Sequence, residues 1–351
     1  MMTPGPTEIP ERVLKAMARP IQNPDIDEDF FDFYRALEEK VKKIYGTRDD
    51  VLILGGEGIL GLEASIASII EKDDKVLCIS NGLFGKGFAD FVEMYGGEPI
   101  LLEFPHDGSI DEKEVKRALE KNDFKASTIV HCETPTGTLN PLDDLLRLLK
   151  EEDILTIVDA VSSLGGTRVP TEKMDICIGG SQKCFSSPPG LTTISISEKA
   201  WEEIMKSKDE HLYTSLRVWK ETWFESDIFP YTHLVSNLYA LDDSLDIILE
   251  EGLDEVYERH KRTAKFCRDR GEEIGLTLYP KSKDLCSPTV TAFSMDTSAV
   301  ALQKRIKKDE DVLLGTGLGD KKDDILRIGH MGYNAQMEKV EKAMDALQIH
   351  C

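Results

Sequence analysis

Short apolar runs alternate with amphipathic stretches along the first two-thirds of the chain. After a Pro-containing opening, helical periodicity covers roughly Phe30–Tyr45. VLIL (51–54) reads as a strand that leads into GGEGILG (55–61) and then a helix over Leu62–Glu71. KVLCI (75–79), PILLEF (99–104), TIVH (128–131), ILTIVD (154–159) and DICIGG (175–180) continue the strands. Helical segments fall between them near Gly87–Tyr95, at 111–121 and at Leu142–Glu151. Strands separated by helices of about a dozen residues imply crossover connections and a mostly parallel sheet. TISIS (193–197) predicts one further strand. Beyond it the pattern is helical over Glu198–Met205, from about Leu234 to Gly252, and over Leu253–Ile274. The tail returns to strand-like runs, TVTAFSM (289–295), VLLGTG (312–317) and ILRIGH (325–330), before a last helix. The pattern places a domain boundary near residue 240.

Length agrees with two domains, because 351 residues exceed what one core usually organises. The formal net charge is −22, with a pI near 4.8. No run of Lys and Arg supplies the positive footprint that nucleic-acid binding needs. An anionic ligand must therefore be held by local donors against the global field. The seven cysteines (Cys78, Cys132, Cys177, Cys184, Cys267, Cys286 and Cys351) are odd in number and scattered, with no C-x-x-C pair, which argues against a disulfide framework or a zinc site. The opening MMTPGPTEIP lacks a charged n-region followed by an apolar stretch, and no apolar run is long enough to span a bilayer. The expectation is a soluble, cytoplasmic protein.

Four places could carry chemistry. GGEGILG lies between a strand and a helix, where glycines let the backbone approach a ligand and unpaired N–H groups favour an anion. It is neither a G-x-G-x-x-G fingerprint nor a P-loop, and by itself a packing turn explains it equally well. Asp159 ends an apolar strand, the place where parallel sheets put their ligand crevice, although Asp is also a common helix N-cap. Lys183, in GGSQKCFSSPPG, follows another apolar strand among small or apolar neighbours that suit a buried nucleophilic amine. Most lysines, in contrast, are solvated surface charges. Arg327 in ILRIGHMG offers a planar fork that matches a carboxylate, against the commoner surface arginine.

The order of these features, more than any one of them, is specific. PGPTEIPERVL (4–14), GGEGILGLEA (55–64), NGLFGKGF (81–88), ETPTGTLNPL (133–142), VDAVSSLGG (158–166), GGSQKCFSSPPG (179–190) and RIGHMG (327–332) resemble, nearly end to end, the class V aminotransferases. These are fold-type I pyridoxal-phosphate enzymes, and the resemblance is to the alanine–glyoxylate and serine–pyruvate branch. It implies an α/β fold, with a large domain of mostly parallel sheet flanked by helices over 21–240 and a smaller C-terminal α+β domain over 241–351. Residues 1–20 would contribute to the small domain and the active site.

The same resemblance assigns roles. Lys183 would carry pyridoxal 5'-phosphate as a Schiff base, and Asp159 would pair with the pyridine nitrogen. Phe84 would stack on the ring, and Thr134 would bond its phenolic oxygen. Gly58, Ile59 and Gln182 would hold the phosphate, with Thr232 of PYTHL reaching in from the second subunit of a homodimer. Arg327 would bind the substrate carboxylate, aided by backbone at Gly5. The implied reaction is ping-pong transamination between a small amino acid such as alanine or serine and a 2-oxo acid such as glyoxylate or pyruvate, with Lys183 moving the proton at the substrate Cα.

Two departures stand out: Phe84 where the branch often has Trp, and Glu57 with Ile59 where its phosphate loop carries small hydroxyl or imidazole side chains. A carboxylate beside a phosphate is unfavourable, so Glu57 is expected to turn away and leave the phosphate to backbone N–H groups. A cysteine desulfurase would share the fold, with Cys286 its only candidate nucleophile, and a cofactor-binding protein without turnover is the remaining alternative.

Overall fold

The main sheet grows from the apolar runs that the sequence marks. In the computed structural model, which describes residues 1–208 and 211–351, these are β1 (Asp50–Gly55), β2 (Lys75–Ser80), β3 (Glu98–Glu103), β4 (Ala126–Val130), β7 (Leu155–Asp159), β8 (Ile176–Gly180) and β9 (Leu191–Ile196). A small hairpin, β5 (Cys132–Glu133) and β6 (Thr138–Leu139), follows β4. The sheet order is β1-β9-β8-β7-β4-β2-β3, and only β9 runs against its neighbours. Strands β4, β7, β8 and β9 are buried along their whole length, as expected where helices cover both faces.

The helices form where apolar residues recur at three- and four-residue spacing. In α2 (Glu28–Tyr45), Phe30, Tyr34, Leu37, Val41 and Ile44 make one buried stripe. Asp27 caps its start by accepting the Asp29 N–H, and Gly46 ends it in the left-handed region at φ 68°. Each fully buried aliphatic side chain of this kind contributes about 2 kcal/mol, so Leu37→Ala would loosen the helix from the sheet.

Two helices start earlier than the sequence suggests. α3 (Gly58–Ile69) begins inside the glycine-rich stretch, because Glu57 caps it, Gly58 packs on Val161 just beyond β7, and Gly61 lies on β8 and β9. A Cβ at Gly58 would come within 2.9 Å of Val161, and one at Gly61 within 2.7 Å of Ile178. α4 (Leu83–Met94) likewise starts ahead of Gly87, for a reason that belongs to the active site. α1 (Glu11–Ala16) precedes these helices, while α5 (Glu112–Leu119), α6 (Asp143–Glu151), α7 (Glu198–Lys206) and α8 (Leu216–Trp219) complete the outer layers.

α9 (Val235–Glu251) and α10 (Leu253–Glu273) lead to an antiparallel four-stranded sheet of order β10-β11-β13-β12, formed by β10 (Thr277–Leu278), β11 (Val290–Ser294), β12 (Gly315–Thr316) and β13 (Ile325–Gly329). Only two residues of the run VLLGTG pair as a strand. α11 (Ala299–Glu310), which the sequence reading lacks, buries Ala299, Leu302 and Ile306 and is capped by Ser298. α12 (Met337–His350) closes the chain.

Residue 240 lies inside α9, whose Val235, Leu238, Leu241, Leu245 and Ile248 belong to the core of the large sheet. The changeover comes later, along α10: Val256 packs in the first core, and Cys267 packs in the second with Met2, Phe293, Ile306 and Leu326. The reason is tertiary, because α9 lies against α1 and α2. The N-terminus reaches the second core by a bridge from Met2 to Leu314. Among the described residues, no helix is long and apolar enough to cross a membrane.

Candidate active site

A cleft of about 420 Å³ opens at the carboxyl ends of the parallel strands, a volume ordinary for a small-molecule site. Ten of the eleven residues singled out in the sequence line it: Gly5, Glu57, Gly58, Ile59, Phe84, Thr134, Asp159, Gln182, Lys183 and Arg327. Thr232 does not. It is exposed, and its hydroxyl donates to Asp25 Oδ2 at 3.0 Å.

β8 delivers Lys183 at its carboxyl end, in a tight turn where Ser186 N–H bonds the Lys183 carbonyl. The amine donates to the Pro4 carbonyl at 2.8 Å. Burial lowers its pKa first and the Arg327 charge second, which the Asp159 carboxylate partly offsets. A lysine so placed spends more time as the neutral nucleophile than one in water. Gly5, at φ 89°, packs against this side chain, and a Cβ there would strike its methylenes.

Asp159, on the neighbouring β7, is buried and accepts the Val161 N–H at 2.8 Å. Burial raises its pKa to about 6, with a smaller push from Glu57, so it is an anion at neutral pH but only by a margin. Arg327 crosses from β13 of the small sheet. Its Nε donates to the Thr316 carbonyl at 2.6 Å and its Nη1 to the Thr134 carbonyl at 3.0 Å, which fixes the guanidinium plane. Burial lowers its pKa to about 10, and it remains a cation.

Several participants were missed by sequence reasoning. Ser162 shares a short hydroxyl–hydroxyl bond with Thr134, and it stands in the VDAVSSLGG segment beside Asp159. Pro4 belongs to the opening PGPTEIP, but a backbone acceptor leaves no compositional trace. Glu133, fully buried next to Thr134, accepts the Gly85 N–H at 2.7 Å and the Phe84 N–H at 3.2 Å. It thereby caps the start of α4, which explains that helix's early beginning and fixes Phe84 at the cleft.

Glu57 departs from its expected direction. Its carboxylate does not turn away: Oε1 accepts the Ile59 N–H at 3.2 Å, and Oε2 accepts from Gln182 Nε2 at 3.0 Å. The unpaired N–H groups and positive dipole end of α3 attract the nearest anion, which is this side chain. Gln182 Oε1 is left buried without a hydrogen-bond partner. Cys286, the nucleophile that a desulfurase would need, is absent from the cleft wall, and its thiol lies against the Ser282 carbonyl at 3.7 Å.

The class V aminotransferase profile matches residues 1–338. The chain is 39% identical over 347 residues to an uncharacterized aminotransferase of Methanocaldococcus jannaschii, covering 96% of this chain and 89% of that one. It is 34% identical to the pyridoxamine–pyruvate transaminase of Mesorhizobium japonicum, covering 99% and 90%. The crystal structure of an alanine–glyoxylate aminotransferase from Nostoc sp. superposes with a TM-score of 0.95 at 27% identity, over 99% of this chain and 94% of that one. The matched length, the fold-type I sheet and the strand-end lysine agree: this chain belongs to the class V aminotransferase family, whose members use pyridoxal phosphate.

Proposed function

We propose that the chain transfers an amino group between a small amine or amino acid and a small 2-oxo acid, using pyridoxal 5'-phosphate chemistry at Lys183. The observation that carries this reading is one cleft holding a half-buried lysine of lowered pKa, a buried aspartate and a buried arginine. The donor set fits the pyridoxal ring. Asp159 would face the ring nitrogen, Phe84 a ring face, and Thr134 with Ser162 the phenolic oxygen. Lys183 would hold the ring compound covalently through its amine. The N–H groups of Gly58 and Ile59, with Gln182, stand where the phosphate would lie, in competition with Glu57.

The cofactor supplies an aldehyde that exchanges with the amine and a pyridinium ring that draws electrons from the reacting carbon. The protein's own part is positional and protonic. Asp159, ionised, keeps a proton on the atom that it faces. Lys183 Nζ takes the proton from the substrate Cα and returns it elsewhere, and its lowered pKa suits both steps. Arg327 orients the carboxylate with a guanidinium that backbone carbonyls already hold. Leu318, Pro6 and Val161 make the remaining wall apolar, which favours small monocarboxylates such as pyruvate or glyoxylate. The amine donors in the names of the relatives, pyridoxamine and alanine, fall in the same class.

Thr232, which does not line the cleft of its own chain, would lie at the phosphate end of a partner's cleft in a homodimer. A cytoplasmic location suits its seven free cysteines. The test is a panel of amine donors against pyruvate and glyoxylate with purified protein. Parallel double-reciprocal lines and an adduct fixed on Lys183 by borohydride are expected. Absence of amino transfer from every donor, or an adduct on another lysine, would overturn the reading.

A further inference from the structure

We infer that the Ser186 hydroxyl is a positioning group for amino transfer: it sets the separation between Lys183, which reacts, and Arg327, which holds the carboxylate. The inference rests on the transamination reading above and deepens it. Ser186 closes the turn that begins at Lys183, with its N–H on the Lys183 carbonyl at 2.9 Å. It is buried, and its backbone lies in the left-handed region at φ 53°. A glycine would adopt that conformation without strain, so what serine adds there is its hydroxyl.

That hydroxyl has two acceptor lone pairs, and both are filled from distant parts of the chain. The Tyr333 N–H donates to it at 2.8 Å, from the segment that continues β13 beyond Arg327. The Thr7 hydroxyl donates to it at 3.1 Å, from the N-terminal segment whose Pro4 carbonyl meets Lys183 Nζ. α10 holds the Tyr333 turn from its other side. There His260 Nε2 accepts the Gly332 N–H at 2.8 Å, and Arg259 Nη1 donates to the Gly332 and Ala335 carbonyls. The lysine turn and the turn after β13 therefore meet at one oxygen.

Packing supports this joint on one side only. Gly332, at φ 57°, lies so close that a Cβ there would come within 2.2 Å of Ser186 Oγ. On the other side is a cavity of about 370 Å³, lined by Cys184, Phe185, Ser186, Arg259, Gly332 and Tyr333. The turns can shift into that space unless hydrogen bonds restrain them. The bond from Arg327 Nη1 to the Thr134 carbonyl also joins the small sheet to the large domain, but it uses the guanidinium that must take a carboxylate. Ser186 ties the same segment and leaves that fork free.

The experiment compares wild type with Ser186→Ala, Ser186→Gly and Ser186→Asn, each loaded with pyridoxal 5'-phosphate. Ala and Gly both remove the hydroxyl, and Gly also removes the strain. Asn tolerates the left-handed region, keeps an oxygen acceptor and has the cavity to extend into. Calorimetric affinity for propionate, an unreactive monocarboxylate, should fall about tenfold in Ala and Gly alike, and Asn should recover part of it. The kcat/KM for pyruvate or glyoxylate, whichever wild type uses, should follow the same order. Half-saturation of borohydride trapping on Lys183, which also reports that the variants are folded, should move less than about threefold. Because the hydroxyl acts through Arg327, adding Ser186→Ala to Arg327→Lys should cost less than about a further threefold. Unchanged propionate affinity in Ala and Gly, recovery in Gly but not in Ala, or an equal loss of trapping on Lys183 would each overturn the inference. So would a full loss of about tenfold on top of Arg327→Lys. All of these leave the transamination reading standing. A wild type that forms no adduct on Lys183 and transfers no amino group would overturn that reading and the inference with it.

Discussion

The two ends of the cleft are built on opposite principles. At the amine end, the half-buried Lys183 and the buried Asp159 and Arg327 are charged groups whose pKa values desolvation displaces, each held by backbone atoms in one geometry. At the other end, an exposed carboxylate caps a helix start and dictates the orientation of a glutamine. Buried charges are costly to misplace and leave little freedom, so the amine end is where the chemistry is fixed. An exposed cap can change identity with little consequence for the fold, so the other end is where selectivity can vary. In the proposed reading, reaction and specificity sit on separate elements: β7, β8 and β13 for one, the first turn of α3 for the other.

This division fails if amine-end substitutions leave the chemistry intact, and it sharpens if they slow it in graded steps. The largest effect is expected for Lys183→Ala. Losing the proton-moving amine should slow amino transfer by roughly 10²–10⁴-fold, while ring compounds still bind without a borohydride-stable adduct. Single-turnover rates near wild type would remove Lys183 from the reaction.

Asp159→Asn comes next, with an expected loss of about 10²–10³-fold from removing one fixed charge aimed at the ring. The pH profile adds a second reading. Asp159 is ionised above about 6, so the wild-type rate should fall as pH drops through that value, and the Asn variant should lack this limb. An acid limb that survives in the variant would assign it to another group.

Arg327→Lys should lower kcat/KM by roughly 10–100-fold for every 2-oxo acid, because a point charge cannot keep both backbone contacts and still present a fork. Affinity for the ring compound should change little. A loss confined to one acceptor would mean that Arg327 selects among substrates instead of holding their shared carboxylate.

The smallest effect is expected for Glu133→Gln, which tests whether Phe84 depends on its helix cap. Ring-compound affinity should weaken by less than about tenfold, since one buried N–H contact is lost. Burial raises the Glu133 pKa from 4.5 to about 7. The stability contributed by its protonated form is complete below 4.5 and is lost as pH rises through about 7. Chemical unfolding of the non-titrating Gln variant should therefore show a flatter stability profile across that window; an unchanged profile would show that Glu133 does not control it.

Much of the molecule was legible in the sequence because burial on both faces writes a continuous apolar run. VLIL, KVLCI, ILTIVD and DICIGG all became strands of the main sheet within a residue or two. Asp159 and Lys183 could be found because they close such runs, where a parallel sheet ends at its ligand. The short α11 and the two-residue β12 were harder, since α11 buries only three residues of twelve and β12 depends on pairing with β13.

The sequence by itself determined the α/β alternation, the family and ten of the residues around the cleft, because each rests on local patterning or on motifs in a set order. Tertiary structure alone decided the rest. It carried the core of the large sheet past residue 240, since α9 packs on α1 and α2. It brought Glu133, far along the chain from Phe84, under the start of α4. It also turned Glu57 onto α3 and Gln182, because unpaired N–H groups attract whichever anion the fold leaves nearest, and no spacing along the chain says which one that is.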